Sequence, residues 1–315
     1  MIPSLSSITS RLRFRQLGLL VALEECGSLH RAAERLGMTQ PGLTKALREV
    51  EATFGSELFV RTKQGVRPNE LGQCLIRHAR LLDADLEHLR EEMNGVLRGS
   101  GGRVAVGAIT GALHSVLVGA LSELRRMQPA LSVEVRESTS LDLLDAINGG
   151  RLDVAVGRIT VTGQADQFDY EELMEESVAV AVGPRHALAR ARRVTLAQLA
   201  KCRWVFYPGN MPLRKLLERE FRQAGLDLPA YPIETSSSLV TMLMLKDDPR
   251  LVALMASATM DFCEEHGIAR RLPLSIGSRH EPFGIVTRRG ARLSPAAEML
   301  VRCLRAAAGR PPGPG

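Results

Sequence analysis

The sequence contains no run of about twenty apolar residues, the length that a helix needs to cross a bilayer. Its first residues, Met1 to Ser10, lack the basic segment followed by a long apolar segment that marks a secretory signal. These absences argue against the membrane-spanning and secreted classes. We therefore expect a soluble protein of the cytoplasm.

The residue patterns of several enzyme classes are also missing. No Gly-Lys dipeptide occurs, which excludes a P-loop, and neither a GxSxG elbow nor an HExxH helix is present. Gly107-Ala-Ile-Thr-Gly111 is a glycine pair without the full dinucleotide-binding spacing, and the seven histidines are dispersed. We expect no enzyme activity, no metal site and no cofactor.

Cysteine is scarce and scattered, at Cys26, Cys74, Cys202, Cys263 and Cys303. The cysteines are odd in number and never have the spacing of a metal-binding or redox pair, so reduced thiols are the expected state. One alternative is a thiol redox-responsive protein built on Cys202. The flanking Lys201 and Arg203 would lower the pKa of that thiol if their charges approached it.

Acidic residues are outnumbered by basic ones, with 35 Asp and Glu against 41 Lys and Arg, a net charge of +6 and a pI near 9.4. Residues 11–67 hold ten Lys or Arg against six Asp or Glu, so +4 lies in less than a fifth of the chain. This local excess favours a nucleic-acid partner. The 315 residues, 45% of them apolar, suffice for two or three compact units.

Apolar residues recur at the three-and-four spacing of one helix face at Leu29, Ala32, Ala33 and Leu36. This spacing predicts a short amphipathic helix, which Gly37 can end in a left-handed conformation. Thr39 is suited to cap the next helix, and Pro41 fits the first turn of that helix. Residues 29–48 are therefore predicted to form two helices joined by a tight turn.

The second helix of this pair has one apolar and one polar face. Its apolar residues are Leu43, Ala46, Leu47 and Val50. Its polar face is formed by Gln40, Thr44, Lys45 and Arg48. Thr39 and Pro41 lie next to Gln40 at the start of the helix and complete the predicted contact surface. Side chains of these types bind base edges and phosphates, and a helix fits the major groove of a duplex. An ordinary helical hairpin with a solvated face is the alternative interpretation.

A basic ribbon is predicted after this helix. Leu58-Phe59-Val60 and the residues before Pro68 read as two short strands joined at Gln64-Gly65. Arg61, Lys63 and Arg67 lie where a β-ribbon beside a recognition helix would contact phosphates or the minor groove. Such a ribbon is the wing of a winged helix-turn-helix.

The whole segment resembles the amino-terminal domain of LysR-type transcriptional regulators. The resemblance rests on Leu12 to Leu23, Gly27-Ser28, Arg31-Ala-Ala33, Leu36, Gln40-Pro41, Leu43, Leu47, Glu51, Gly55 and Leu58-Phe59-x-Arg61. The chain departs from the family at Gly42, where Ala is usual, at Thr44, where Ser is usual, and at Gln64, where Arg is frequent. The resemblance implies a winged helix-turn-helix DNA-binding domain over residues 12–69.

A long helix is predicted over residues 70–97, with Asn69 as its cap. Its apolar residues alternate steps of four and three at Leu75, Ala79, Leu82, Leu86, Leu89, Met93 and Val96. This seam is typical of a coiled coil, and the most economical partner is the same helix of another subunit in a dimer or tetramer. Packing against its own domain is the alternative. The resemblance implies the pairing of subunits.

Strands and helices alternate after the glycine-rich residues 98–103. This alternation predicts a parallel sheet with crossover helices up to about residue 159, and a second unit repeats the theme from residue 177. The order resembles the effector-binding domain of the same family, which is built like a two-lobed periplasmic binding protein. The resemblance implies an effector-binding domain over 103–309. Its lobe I would span about 103–172 and 278–309, and its lobe II about 173–277.

Ligands of open parallel sheets bind outside the carboxyl ends of the strands. The residues at the predicted ends are Thr110, Gly111, Ser138, Thr139, Ser140, Arg158, Tyr207, Asn210, Thr235 and Ser236. Hydroxyls, amides and one arginine suit a small polar or anionic molecule, with Arg158 pairing a carboxylate. A helix cap or an exposed loop is an equal interpretation for each residue alone. The prediction is therefore the cluster, and it requires both lobes to face one cleft.

The expected fold is multidomain: an α-rich winged helix-turn-helix joined by a long linker helix to a two-lobed α/β domain. The expected function is that of a LysR-type transcriptional regulator that binds promoter DNA as an oligomer and responds to a small-molecule effector. Its expected partners are double-stranded DNA, the effector, further copies of itself and RNA polymerase. A thiol redox-responsive regulator and a solute-binding module without regulatory DNA binding are the alternatives.

Overall fold

The computed structural model describes residues 2–62, 65–98, 102–277 and 282–309. These residues form two compact units, of which the first comprises the chain up to Arg98 together with Asn148–Arg151 and the second comprises the rest. Each unit has its own apolar core. Three residues of the glycine-rich stretch 98–103 lie outside the described residues.

The first unit is mainly helical and ends in a long helix. Its elements are α1 (Leu5–Arg11), α2 (Phe14–Cys26), α3 (Leu29–Arg35), α4 (Gln40–Phe54), β1 (Phe59–Thr62), β2 (Gly65–Pro68) and α5 (Glu70–Arg98). Helix α1 was not predicted, because its seven residues contain only two apolar ones, Leu5 and Ile8, which are too few to mark a helix; it buries none of its residues. The helix pair α3–α4 and the two-stranded ribbon β1–β2 follow the predicted order.

The core of the first unit is formed where α2, α3 and α4 meet the ribbon. Leu20, Leu23, Leu43, Val50 and Leu58 are all at most 2% exposed there. Removing these side chains from water is the main term that holds the short helices together, since each buried Leu or Val contributes about 1.5–3 kcal/mol.

The second unit contains two five-stranded sheets. Its elements are β3 (Arg103–Ala108), α6 (Thr110–Ala112), a π-helical turn (Leu113–Leu117), α7 (Val118–Met127), β4 (Ser132–Glu137), α8 (Ser140–Asn148), β5 (Val154–Gly157), a 3-10 turn (Ala165–Gln167), β6 (Phe168–Met174), β7 (Val178–Val182), α9 (Leu196–Leu199), β8 (Arg203–Phe206), α10 (Pro212–Gln223), β9 (Ile233–Glu234), α11 (Ser238–Asp247), β10 (Leu251–Ala256), α12 (Ser257–Glu265), β11 (Arg270–Arg271), β12 (Phe283–Arg288) and α13 (Pro295–Ala308).

The two sheets define two lobes. Lobe I carries the sheet β4-β3-β5-β12-β6, and lobe II carries β11-β7-β10-β8-β9. Parallel pairing occurs as expected between β3, β4 and β5, and between β8, β9 and β10. Strand β12 instead runs antiparallel to both β5 and β6, and β7 runs antiparallel to β10. The sheets are therefore mixed: the parallel pairing predicted up to about residue 159 is present, and β12 in lobe I and β7 in lobe II add antiparallel pairs that the alternation does not indicate.

Strand β6 was missed for a physical reason. It is an edge strand with the sequence Phe-Asp-Tyr-Glu-Glu-Leu-Met, and only Phe168 within it is fully buried. Charged residues on an exposed edge strand hide the apolar alternation that marks a strand in a sequence. The connection from β6 to β7 carries the chain from lobe I into lobe II.

Lobe II offers a direct test of its core. The Phe221 ring is fully buried and lies edge-on to Trp204, with ring centroids 5.8 Å apart. Phe221→Ala is expected to reduce the free energy of unfolding of this lobe by about 3–5 kcal/mol, because it removes a buried ring and leaves a cavity. Urea unfolding followed by the fluorescence of Trp204, the only tryptophan in the sequence, measures this loss. Leu243→Ala, at a position 58% exposed in the same lobe, should change the energy by less than about 0.5 kcal/mol. Equal losses in the two variants would contradict the described core.

Candidate nucleic-acid interface and ligand cleft

The outward face of α4 is set by its buried face. Leu43, Leu47 and Val50 are buried, and this fixes the rotation of the helix about its axis. The residues left on the opposite side line one shallow surface depression: Gln40, Pro41, Thr44, Lys45 and Arg48. All the predicted contact residues of α4 itself thus lie together on one exposed surface.

Hydrogen bonds at the start of α4 hold this surface in shape. Thr39 caps the helix, and its Oγ1 accepts from the Gly42 amide at 3.3 Å. Thr44 Oγ1 donates to the Gln40 carbonyl at 2.9 Å, so its methyl group and oxygen lone pairs remain for a partner. Lys45 and Arg48 are exposed and have no ion-pair partner among the described residues. The face therefore presents two cations that no carboxylate of this part of the chain neutralises.

The ribbon β1–β2 carries its two described arginines on opposite faces. Arg67 is paired with exposed Val60, and Arg61 is paired with buried Val66. Because directly opposed residues share a face, Arg67 lies on the outer face, whereas Arg61 is an exposed residue on the face that contributes to the core. Lys63, the third predicted contact, lies outside the described residues.

A glycine fixes where the ribbon turns. Gly65 has φ +126°, and a Cβ at this position would come within 2.2 Å of the Gly27 carbonyl oxygen. The amide of the next residue, Val66, donates to that same carbonyl at 2.9 Å. Only glycine satisfies both the backbone angle and the close approach. The ribbon is thereby anchored to the loop between α2 and α3.

The second unit holds a cleft of about 490 Å³ between its two lobes. Nine of the ten predicted ligand residues line it: Thr110, Gly111, Ser138, Thr139, Ser140, Arg158, Tyr207, Asn210 and Ser236. Thr235 does not line it, since its hydroxyl accepts from the Ser237 amide at 3.1 Å to shape the turn before α11. The predicted cluster therefore comes together, although ligand binding by these residues remains a prediction.

The cleft also contains polar residues that the sequence analysis missed: Glu137, Asp142, Glu176 and Lys215. Ser237 and Ser238, which directly follow the predicted Thr235 and Ser236 at the same strand end, line it as well. Glu137 ends β4 and could have been found by the rule that selected its neighbours. Glu176 lies in the connection between β6 and β7, where nothing in the sequence indicates a site. It reaches the cleft only because β6, itself unpredicted, leads into lobe II at this point.

Arg158 and Glu176 form a buried ion pair in the cleft. Arg158 Nη2 lies 2.7 Å from Glu176 Oε2, and the two side chains are 5% and 7% exposed. The Ser140 hydroxyl accepts from the Arg158 amide at 3.2 Å. Arg158 was expected to pair with a carboxylate of a ligand. In the structure its partner is a carboxylate of the same chain.

Gly111 makes room for this carboxylate. A Cβ on Gly111 would lie 1.5 Å from Glu176 Oε1, so the carboxyl group sits directly against the backbone where α6 begins. The amides at the start of a helix favour a negative charge at this place. The connection between the lobes thus contributes its charge to the inner end of the cleft.

Two more carboxylates accept hydrogen bonds on the lobe I wall. Thr110 Oγ1 donates to Glu137 Oε1 at 2.7 Å. The hydroxyls of Ser138 and Thr139 both donate to Asp142 Oδ2, at 2.8 and 2.9 Å. These hydroxyls hold the pKa of the Asp142 carboxyl below its usual range, chiefly through the bond from Ser138 and then that from Thr139.

The lobe II wall contributes the buried hydroxyls of Tyr207 and Ser238. Burial raises the pKa of the Tyr207 hydroxyl to about 12, an effect opposed by the Ser238 hydroxyl and reinforced by the charges of Glu176 and Glu137. Ser238 is 5% exposed, and its Oγ makes no well-formed hydrogen bond within the described ranges. Asn210 and Lys215 are exposed at the rim of this wall.

Other chemistry is not supported by the described residues. Burial raises the pKa of the Cys202 thiol, which is opposite to the shift that a reactive thiolate requires. The parts of the chain that the structure describes contain no group of three or more His, Cys, Asp or Glu side chains able to hold a metal ion. Within these same parts, every helix is too short or too polar to cross a membrane.

Comparison with known proteins gives the same family for both units. A model of the bacterial regulatory helix-turn-helix protein, lysR family, matches residues 14–73, and a model of the LysR substrate binding domain matches residues 97–309. The HTH-type transcriptional regulator GbpR of Azospirillum brasilense is 34% identical over 301 residues, which are 95% of this chain and 88% of that protein.

Solved structures show the same fold. The LysR family transcriptional regulator CbnR superposes with a TM-score of 0.65 at 17% identity, covering 95% of this chain and 100% of that one. Full-length CbnR complexed with its target DNA gives a TM-score of 0.64 at 17% identity, covering 94% and 100%.

The acidity of Asp142 tests the lobe I wall. Ser138→Ala and Thr139→Ala are each expected to raise the pKa of Asp142 toward its usual value, because each removes a hydroxyl that donates to the carboxylate. Since folding lowers this pKa, the bonds stabilise the fold above the usual pKa of an aspartate, and the contribution is lost as the pH falls through the lowered value. A pH titration of the carboxyl carbon by NMR measures the shift. Ser236→Ala, in the same cleft but not bonded to Asp142, is the control, and an unchanged pKa in both test variants would refute the assignment.

Proposed function

The chain belongs to the LysR family of transcriptional regulators, and from this premise we propose that α4 reads promoter DNA while a small molecule in the cleft controls the binding. It is a DNA-binding transcriptional regulator with an effector-binding domain. The observation that carries the proposal for the DNA contacts is the outward face of α4, where polar and cationic side chains share one exposed surface beside a β-ribbon.

The chemistry of each side chain indicates whether it contacts a base or a phosphate of the DNA. Gln40 and Arg48 contact base edges in the major groove, because their amide and guanidinium groups match the edges of adenine and guanine. Thr39, Thr44 and Lys45 bind phosphates or bases close to them. In the ribbon, Arg61, Lys63 and Arg67 supply phosphate contacts. The domain that does this spans residues 12–69 and includes Pro41 in the first turn of its recognition helix.

Residues 70–97 pair two subunits. Four apolar residues of α5 lie on one side at seam positions and are 40–60% exposed: Leu82, Leu86, Leu89 and Met93. An exposed stripe at coiled-coil spacing is explained by the same helix of a second subunit. Two subunits present two recognition helices, which suits an inverted repeat whose half-sites are separated by about one helical turn or a multiple of it.

Residues 103–309 bind the effector between lobe I (about 103–172 and 278–309) and lobe II (about 173–277). A ligand that contacts both walls favours one angle between the lobes, and it shifts the regulator only if it binds one arrangement more tightly than the other. Because the relatives are regulators, the chain acts by binding rather than by catalysis. It works in the cytoplasm, where RNA polymerase is the partner that reads out its position on DNA.

Arg48→Ala tests the recognition helix. It is expected to weaken binding to a promoter fragment by about 1–3 kcal/mol and to relax specificity at one base pair, since it removes a guanidinium that contacts a base edge. Gel retardation or fluorescence anisotropy at fixed salt, on the region upstream of the chain's own gene, measures the change. Arg219→Ala removes the same charge from an exposed site on α10 and should leave affinity unchanged. Equal affinity for Arg48→Ala and the wild type would contradict the assignment.

Met93→Asp tests the pairing of subunits. Met93 is 60% exposed on the apolar stripe of α5, so a charge there is expected to dissociate the dimer by placing a carboxylate in the seam. Sedimentation equilibrium over a range of concentrations reports the dissociation constant. Arg77→Asp, on the opposite face of the same helix, is the matched control. A dimer of unchanged stability in Met93→Asp would exclude this seam as the interface.

A further inference from the structure

The donors on the lobe I wall of the cleft already have anionic partners within the chain. Thr110 donates to Glu137, Arg158 is paired with Glu176, and the hydroxyls that precede α8 donate to Asp142. On this wall, a carboxylate of an effector would therefore find its donors engaged, and the remaining cation of the lining, Lys215, is exposed at the rim of lobe II. The effector carboxylate would also have to displace an internal carboxylate from a bond of 2.7–2.9 Å.

The net charge of the residues that line the cleft also disfavours an anionic ligand. Three carboxylates, those of Glu137, Asp142 and Glu176, face two cations, Arg158 and Lys215. The lining thus has a formal charge of −1, and its one buried cation, Arg158, is matched by an equally buried carboxylate. Within a partly desolvated cleft, an added anion is repelled more strongly than it would be in water.

The opposite wall supplies an unmet hydrogen-bonding need. Ser238 is more than nine-tenths buried, lines the cleft, and its Oγ has no well-formed hydrogen bond in the described structure. The buried hydroxyl of Tyr207 lies beside it. A buried hydroxyl that makes no well-formed hydrogen bond is costly, and a hydroxyl or ether oxygen of a ligand would reduce that cost without bringing charge.

From these contacts we infer that the cleft takes an uncharged, hydroxyl-bearing molecule, and that Glu176 is the specificity-determining residue that excludes carboxylates. The inference rests on the proposed function in that the effector binds in this cleft. Glu176 acts by filling the position that an anionic ligand would need, between the Arg158 guanidinium and the backbone of Gly111. Ser238 and Tyr207 bind the ligand hydroxyls from lobe II.

Matched pairs of small molecules test the wild-type preference. In each pair the acid carries a carboxylate where the neutral molecule carries a hydroxymethyl group or a hydrogen: D-glucose with D-glucuronate, D-galactose with D-galacturonate, and catechol with 3,4-dihydroxybenzoate. Isothermal titration of the full chain should find binding by an uncharged member and at least about tenfold weaker binding by its acid. Ser238→Ala should weaken binding of the uncharged member by about tenfold. Galactosamine, a cation at neutral pH, should bind no better than galactose, because each of the three carboxylates of the lining is already engaged by a donor of the chain.

Glu176→Gln tests the residue itself and does not depend on the native effector. The variant keeps the shape of the side chain but removes the negative charge that Glu176 places beside Arg158, so acetate and benzoate should raise the melting temperature of the variant. The same salts should leave the wild type unchanged relative to sodium chloride at equal ionic strength. Glu175→Gln, an exposed neighbour that does not line this cleft, should behave as the wild type.

A second variant protects the test against a folding failure of Glu176→Gln. Asp142→Asn removes the negative charge to which the hydroxyls of Ser138 and Thr139 donate, which lowers the repulsion of an added anion, and it should also gain a response to acetate. If neither variant responds to acetate or benzoate, the inference is overturned. It is overturned as well if the wild type binds the acid or the amine more tightly than the uncharged partner. In that case a loss of affinity in Ser238→Ala would still support binding in the cleft, whereas binding insensitive to both Ser238→Ala and Glu176→Gln would overturn the cleft as the effector site.

Discussion

Burial of one face of α4 decides what the first unit can do. Leu43, Leu47 and Val50 are held in a small core, and each contributes about 1.5–3 kcal/mol when removed from water. The helix cannot rotate about its axis without exposing these side chains to water. The polar residues on its opposite side must therefore face outward. The ribbon is fixed in the same way, through the contact of Gly65 with the Gly27 carbonyl. The direction of the surface that we propose to contact DNA is thus a consequence of the packing of the opposite face of α4.

Several features were predictable because they are encoded by residues close together in the chain. The helix pair follows from the spacing of apolar residues and from the cap at Thr39, which the structure retains. The cleft residues at the ends of β3, β4 and β5 follow from the rule that parallel strands end at one edge of a sheet. Both inferences need only local pattern together with a general rule of topology.

The features that escaped prediction depend on contacts distant in sequence. Strand β6 is stabilised by pairing with β12, more than a hundred residues later, and its own sequence is too polar to reveal it. Glu176 becomes part of the cleft only through that strand, and its partner Arg158 lies in a different element. The sequence therefore indicated which donors face the cleft, but it did not reveal that their acceptors come from the same chain. This difference narrows the expected ligand from a small polar or anionic molecule to an uncharged one.

The central claim is that the outward face of α4 lies in the major groove of a specific duplex. Selection of bound sequences from a random DNA library by the full chain, followed by methylation of guanine N7 in the selected duplex, tests it most directly. The account predicts enrichment of an inverted repeat with half-sites about one helical turn apart or a multiple of it, and loss of binding when a guanine within a half-site is methylated, since N7 lies in the major groove. Recovery of unenriched sequences, or binding that is indifferent to methylation at every guanine, would contradict it.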